Sequence, residues 1–567
     1  MQIQARKAIS NQSTKIIQEW FKCKENFEYF CRNYIKIDLP GATTLLQPYK
    51  EQLRVINFIQ DQKHVVILKS RQIGISTIIQ AYLVYLAVFF KNVSIGVISK
   101  DAGEATQFAK VCTSMLEYLP KWMKPKFKKS TEQSFILSNG SKLQVSAILP
   151  SNPQKTFRGR NLTVLVLDEA AHCQYIDQAW IGMSPALVTN QKHARENNIP
   201  YATIIISTPN KTTGIGKWFF EKYKAALNGE GAFRATSVHW KDIQELGKAW
   251  YQEQCSLLGY NQSAIDQELN LKFIPGEGAF FPEWIASKLQ EQEIEPKMKI
   301  NLLPGTPHEG WIFQEPDTSK FYLIGVDTAS EYGPSKSAIE IFEYDTLEQV
   351  FEFQGKLPIL NFKQIIIKIA KLYPGILIVE NNSYANQMVS ELALIDGINV
   401  FSEIKPGGKI SYGISTNAKT RPLMIDALYS YVSQYPETIK SSRLKLELVG
   451  LVEKNGRIQA DKGETDDLVL ASSFCYYVRK YSPPLSAVLR DRKPGEELPS
   501  ELDLLRSIAG WNFESSEQPS ISNIYQNASE SASLSSLNRE IISRVRQNLE
   551  RGEIEDIFIR TIPSIAS

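Results

Sequence analysis

Residues 65–77 read Val65-Val66-Ile67-Leu68-Lys69-Ser70-Arg71-Gln72-Ile73-Gly74-Ile75-Ser76-Thr77, and this stretch decides the fold of the first half of the chain. Four consecutive apolar residues predict a buried strand. A short polar turn follows, and Ile78 to Phe90 predicts a helix buried on most sides. Strand, phosphate-sized turn and helix make the frame of a P-loop, in which amides at a helix N-terminus face an anion and the helix dipole favours negative charge. The usual pattern is G-x-x-x-x-G-K-[ST]. Gly74 and Ser76 fit the second glycine and the Mg²⁺-holding hydroxyl, but Ile75 stands where the lysine belongs and Lys69 where the first glycine belongs. Alone, the stretch reads equally as a buried strand ending in a basic turn.

A second stretch decides between the two. Leu162 to Leu167 is another apolar strand, and it ends in Asp168-Glu169. A strand delivering two carboxylates to the C-terminal edge of a parallel sheet is the Walker B arrangement: the Asp holds Mg²⁺ and the Glu polarises the attacking water. A third strand, Ala202 to Ile206, runs into Ser207-Thr208-Pro209-Asn210, whose hydroxyls are placed to sense a γ-phosphate. These segments predict an α/β domain with a doubly wound parallel sheet that binds ATP with Mg²⁺.

Further along, acids recur at the ends of elements. Phe321 to Val326 is an apolar strand ending in Asp327, with Ala338 to Tyr344 as its return strand. Ile376 to Val379 ends in Glu380, and Asp466-Asp467 opens an apolar helix. Crowded carboxylates repel and are tolerable only when cations neutralise them. Mg²⁺ or Mn²⁺, hard and oxygen-seeking, suits such a set. Two such ions would activate water and stabilise the leaving oxygen of a phosphodiester. Spacing leaves open which of Asp466 and Asp467 is the closer ligand.

At 567 residues the chain is too long for one core, and two or three domains are expected. Hydrophobic content of 43% and charged content of 22% fit a soluble globular protein. With a net charge of only +3, contact with nucleic acid must come from local patches. The six cysteines lack C-x-x-C spacing, which argues against zinc and against a disulfide framework. The N-terminus lacks a signal-type apolar segment, and Ile78–Phe90 is too short to span a bilayer, so no membrane association is expected. Residues 1–40 predict an amphipathic helical segment, 41–280 the ATPase domain with a mainly helical portion after Lys211, and 281–310 a linker. Residues 311–481 predict the acidic domain, and 482–567 a Ser-rich flexible tail with a helix over Asn538 to Ile559. Lys121 to Lys129, with Trp122 and Phe127 among its lysines, reads either as a DNA-phosphate grip or as a solvated loop.

Lys-Ser-Arg-Gln-Ile-Gly-Ile-Ser-Thr, then Leu-Asp-Glu-Ala-Ala-His, then Ser-Thr-Pro-Asn resembles the ATPase half of the large terminase subunit of tailed bacteriophages. The resemblance covers about residues 25–480 and extends to an RNase H-like α/β nuclease domain carrying the second set of acids. It implies that Lys69 is the phosphate lysine, moved to the front of the loop, with Arg71 a second cation and Ser70, Gln72, Ile73, Ile75 and Thr77 completing the cradle. It places Tyr49 at the adenine, with Gln52 substituting for the usual neighbouring Gln. Arg158, with Arg160 behind it, becomes the candidate finger reaching a neighbouring subunit's γ-phosphate. Asp327, Glu380 and one of Asp466/Asp467 carry over as metal ligands. The family often has another Asp where this chain reads Pro334-Ser335-Lys336-Ser337; either Glu331 compensates or a second metal is held loosely. Lys419, Arg421 and the Lys405–Lys409 loop would hold DNA phosphates or be plain surface. The implied activity is ATP-driven packaging of double-stranded DNA with Mg²⁺- or Mn²⁺-dependent endonuclease cutting. Implied partners are a portal protein, a terminase small subunit and further copies in a ring, in the host cytoplasm. The rival readings are a helicase-type motor with a non-catalytic C-terminal half, and a structural capsid-vertex protein with a degenerate P-loop.

Overall fold

The computed structural model describes residues 2–481, apart from 293, 304–307, 331–332, 334, 383–384, 406–408, 455 and 462–464. The Ser-rich tail with its terminal helix therefore lies outside the described residues, as do Glu331, Pro334, the Pro304–Pro307 stretch, the Pro406–Gly408 turn and Glu464. The chain divides into two compact units, Met1–Glu291 with Val449–Gln459, and Gln292–Leu448 with the residues from Ala460 onward.

The first unit is built on an eight-stranded sheet. Its strands are β1 (His64–Lys69), β2 (Ser94–Ser99), β3 (Phe127–Thr131), β4 (Ser134–Leu137), β5 (Lys142–Ala147), β6 (Val164–Asp168), β7 (Ala202–Ser207) and β8 (Arg234–Val238). They lie in the order β8-β1-β7-β6-β2-β5-β4-β3. Pairing is parallel from β8 to β5 and antiparallel through β4 and β3. The central strands β2, β6 and β7 are buried throughout, as strands covered on both faces must be, which is why they read as unbroken apolar runs. Helix α1 (Ile75–Phe89) is buried at 13 positions, so its polar face is nearly absent. The N-terminal helices cover it: Phe27 meets Tyr82 and Tyr85 edge-on, and Phe30 and Trp20 meet Phe89. Lys36–Leu39 is not helical but pairs with Ala42–Leu45 as a hairpin.

Two expectations need correction. The stretch after Lys211, read as mainly helical, contains β8, a full member of the parallel sheet. Arg-Ala-Thr-Ser-Val has no apolar run because an edge strand buries little, and only Val238 is fully buried here. The segment 281–310 is not a plain linker: Glu283–Leu289 is a helix, and Met298–Asn301 and Glu309–Ile312 are strands.

Those two strands, β9 and β10, belong to the six-stranded sheet of the second unit. The others are β11 (Tyr322–Asp327), β12 (Ser337–Glu343), β13 (Gln349–Gly355) and β14 (Gly375–Val379). The order is β9-β10-β13-β12-β11-β14. An antiparallel meander β11-β12-β13 with β14 parallel on the far side of β11 is the RNase H-like arrangement. One core cluster joins residues of β11, β12 and β13 to helix Ile359–Leu372 and helix Asn386–Leu392. Thr420–Gln434 and Asp467–Tyr481 are further helices, and no described helix is long and apolar enough to cross a membrane.

Candidate active sites

The P-loop of the first unit is shaped by its glycine and strapped from behind. Gly74 caps α1 at φ 72°, and a Cβ there would come within 2.6 Å of Gln52 Nε2. Gln52 is buried and donates to the Ile73 carbonyl at 3.1 Å, while its Oε1 accepts from the Tyr49 amide. Neither Tyr49 nor Gln52 lines the nucleotide-sized pocket described below. Ser70 is fully buried, and its hydroxyl donates to the Leu269 carbonyl at 2.6 Å and accepts from the Trp240 amide at 3.0 Å. That hydroxyl serves as a strap rather than a phosphate contact. Ile73 and Ile75 are core residues, 2% and 1% exposed. A lysine at position 75 would thus have its side chain in the core, which explains why the loop's cation comes from Lys69.

Lys69 Nζ donates to Glu169 Oε1 at 2.6 Å, joining the two Walker strands by an ion pair. Ser76 Oγ donates to Asp168 Oδ1 at 3.1 Å. Glu169 Oε2 accepts from Ser207 Oγ and from the Thr208 amide, each at 3.3 Å. Arg71 pairs with Glu268 at 3.2 Å. Arg71, Ser76, Asp168, Glu169, His172, Thr208 and Glu268 are among the residues lining a pocket of about 510 Å³, whereas Lys69 and Ser207 are buried behind its wall. Burial, then the neighbouring Glu169, pushes the Asp168 carboxyl up to about 6. Burial also acts on Glu169, but the Lys69 ammonium outweighs it and holds that carboxylate below its usual range. A buried carboxyl that is costly to ionise, with a hydroxyl on it, is a donor set that fits Mg²⁺. Gln72 lies in the turn at φ 59°, and Thr77 in the first turn of α1.

In the second unit three elements bring the acids together. The register pairs Val326 with Val379, so Asp327 and Glu380 leave neighbouring parallel strands side by side. Helix Asp467–Tyr481 lies directly over β11 because position 325 is glycine: a Cβ there would stand 2.0 Å from the Ala471 carbonyl oxygen. Asp467 is one turn before Ala471, which brings it toward Asp327, two residues beyond Gly325 on the same strand face. Burial first, then the charges of Glu380, Asp467 and Asp466, pushes Asp327 well above the usual carboxylate range. Burial likewise raises Asp467, against the opposing pull of the Lys336 amide.

The acids are neighbours rather than a finished cage. Among the described residues no three His, Cys, Asp or Glu side chains are gathered tightly enough to hold a metal ion as they stand. Asp467 Oδ2 accepts from the Lys336 amide at 2.9 Å, and Asp466 pairs with Arg421 at 3.8 Å. Arg421, expected at DNA phosphates, thus faces an acid of its own chain. Lys419 sits at the N-cap of the helix Thr420–Gln434. The donors are all carboxylate oxygens around a deeply buried Asp327, a set that fits a hard divalent cation and no soft one.

Arg158 and Arg160 are exposed in the turn ahead of β6 and do not line the pocket of their own chain. Sequence reasoning passed over Glu268 and gave His172 a structural place. Glu268 lines the pocket at the end of helix Gln262–Glu268, and no pattern in its neighbourhood announces it. His172 hydrogen-bonds Thr208 Oγ1 at 3.0 Å through Nε2, and burial lowers its pKa. The Lys121–Lys129 stretch forms a turn and the sheet-edge strand β3, with Trp122 38% exposed.

Residues 66–286 match the family described as terminase large subunit, T4likevirus-type, N-terminal. The large terminase of a thermophilic bacteriophage is 13% identical over 76% of this chain and 98% of its own, with a TM-score of 0.33. The large terminase ATPase domain of Thermus phage P74-26 is 18% identical over 40% of this chain and 94% of its own, with a TM-score of 0.31. The large terminase nuclease from thermophilic phage G20c, with bound magnesium, is 12% identical over 36% of this chain and 98% of its own, with a TM-score of 0.27. The variant P-loop, the acidic pair that faces it and the match over residues 66–286 together make the first unit of this chain similar to the N-terminal part of large terminase subunits.

Proposed function

We propose that the chain is a DNA-packaging motor and endonuclease whose two activities are divided between its two units. The first unit hydrolyses ATP, and the Lys69–Glu169–Asp168–Ser76 cluster carries this reading. Lys69, Arg71 and the loop amides bind the phosphates, and Ser76 and Asp168 hold Mg²⁺. When bound, the ion neutralises charge on the transferring phosphoryl group. Glu169 orients the attacking water once Lys69 has exchanged it for phosphate, and Thr208 reports the γ-phosphate to Glu169 through its amide. Tyr49 contacts the adenine, while Gln52, with both ends of its amide engaged by the Tyr49 amide and the Ile73 carbonyl, holds the loop. Arg158, exposed and outside its own pocket, acts on the nucleotide of a neighbouring copy in a ring.

The second unit cuts DNA. Asp327, Glu380 and Asp467 hold Mg²⁺, or Mn²⁺ in its place, with Asp466 beside them; the bound cation supplies an activated water for phosphodiester hydrolysis. Double-stranded DNA is the substrate of both units, a portal protein and a terminase small subunit are the docking partners, and the working compartment is the host cytoplasm. Supporting this reading are the strand-end placement of Asp327 and Glu380, the helix-start placement of Asp467 and the acidic charges crowded on Asp327. The deciding experiment measures ATP turnover and plasmid cleavage on the full chain. Lys69→Ala should abolish the first and spare the second, and Asp327→Ala the reverse. Cleavage retained by Asp327→Ala would defeat the assignment of the second site.

A further inference from the structure

Helix Asp467–Tyr481 begins at a candidate metal ligand, yet its first free amides are satisfied from another helix. The Leu468 and Val469 amides donate to Glu447 Oε2 at 3.0 and 3.3 Å. Glu447 lies on helix Ser442–Val449 and is 3% exposed. Its other oxygen, Oε1, accepts from Gln354 Nε2 at 3.0 Å. Gln354 belongs to β13, and its Oε1 lies 3.5 Å from Lys336 Nζ. Lys336 closes the ring, since its amide donates to Asp467 Oδ2 at 2.9 Å.

A carboxylate at a helix N-terminus satisfies orphan donors and meets the positive end of the dipole. Here that carboxylate comes from outside the helix and is anchored to the sheet through Gln354. The turn carrying Asp466 and Asp467 is therefore fixed to β13 rather than left to its own loop.

We propose that Glu447 is a positioning residue of the nuclease site, holding the Asp466–Asp467 turn where Asp467 can share a divalent cation with Asp327 and Glu380. This rests on the nuclease reading above. Glu447 itself touches neither cation nor DNA. Its loss lets the turn drift, so the effect falls on cation affinity before it falls on the rate at saturating cation. Groups that orient metal ligands from behind typically contribute about 10- to 100-fold in metal affinity or activity.

The test uses the full chain without nucleotide. Glu447→Gln keeps one acceptor and the shape, and Glu447→Ala removes both. Three quantities are read: the Mg²⁺ concentration for half-maximal plasmid cleavage, Mn²⁺ binding by calorimetry in an Asp168→Asn background, and ATP turnover as a check of folding. The expected result is a half-maximal Mg²⁺ raised about tenfold in Glu447→Gln and further in Glu447→Ala. Mn²⁺ binding should weaken in parallel, with ATP turnover unchanged. Unchanged Mg²⁺ demand and Mn²⁺ affinity in both variants, in a wild type that cleaves, would overturn the role of Glu447 alone. A wild type that neither cleaves nor loses Mn²⁺ binding on Asp327→Ala would instead overturn the nuclease reading beneath it.

Discussion

The two sites handle charge in opposite ways. In the first unit three acids at the pocket have a counter-charge or a hydroxyl within reach: Lys69 on Glu169, Arg71 on Glu268, Ser76 on Asp168. In the second unit Asp327 and Glu380 meet each other, and Asp327 is pushed well up in pKa by burial first and then by its acidic neighbours. The first site keeps Glu169 and Glu268 in ion pairs and must open one of them to admit a ligand. The second is strained until a proton or a cation enters. This difference fixes what each substitution should do to stability as well as to activity.

The largest effect is expected at Asp327. Asp327→Asn removes a metal ligand whose bound cation supplies several kcal/mol of transition-state stabilisation, so cleavage should fall by about 10³-fold or more. The same change relieves repulsion, so the cation-free protein should melt higher, by about 2–4 °C if ~1 kcal/mol is recovered. Plasmid assays and calorimetric melting read both. An unchanged or lower melting temperature would break the contrast between the sites.

Next is Arg158, which has no side-chain partner among the described residues and lies outside its own pocket. If it serves a neighbouring copy, Arg158→Ala should lower ATP turnover about 10³-fold in the assembled state. The melting temperature should not move, and mixing with Glu169→Gln subunits should restore part of the rate. Failure of mixing to restore any rate would return Arg158 to the surface.

Lys69→Ala and Glu169→Gln follow, each lowering ATP turnover by about 10²–10³-fold, the usual loss for one preorganised electrostatic contact. Here the stability change has the opposite sign from Asp327→Asn. Lys69→Ala strands a largely buried carboxylate, so the melting temperature should fall, while cleavage by the second unit is spared.

The same asymmetry separates what the sequence discloses from what it conceals. Apolar runs ending in acids are legible because a strand buried on both faces must be apolar, and its polar chemistry can begin only at its end. That made Asp168, Glu169, Asp327 and Glu380 visible. The polar edge strand Arg234–Val238 lacked that signature, and with it the straps on Ser70 went unseen. Ser70 entered the nucleotide set because it sits inside the loop, whereas its hydroxyl is held from behind. Contacts assembled from distant segments, such as Arg71 with Glu268 or Glu447 with the helix at Asp467, follow no local period and were invisible. Gly325 passed as an ordinary strand residue, although the helix can lie over Asp327 only where that Cβ is missing.

The smallest effect is a pH dependence, and it sharpens the comparison most finely. Asp168 is raised from 3.8 to about 6 in the folded protein. A raised acid favours its protonated form, so its stabilising contribution is complete below the unfolded value and is lost as pH rises through about 6. At pH 8 the ligand-free protein therefore carries about 3 kcal/mol against folding at this one group, two pKa units at ~1.4 kcal/mol each. Mg²⁺ relieves that cost by replacing the proton. Binding of Mg²⁺ with ADP to the Asp327→Asn chain should be level above pH 7 and weaken about tenfold per unit below 6. Asp327 stands well above the usual carboxylate range, so cations bound by the Asp168→Asn chain should displace protons at pH values where an ordinary carboxylate has none to lose. Calorimetry in buffers of different ionisation enthalpy counts those protons. No proton release on cation binding at the second site above the ordinary carboxylate range would mean that Asp327 is not strained by its surroundings, and the contrast between the two sites would fall with it.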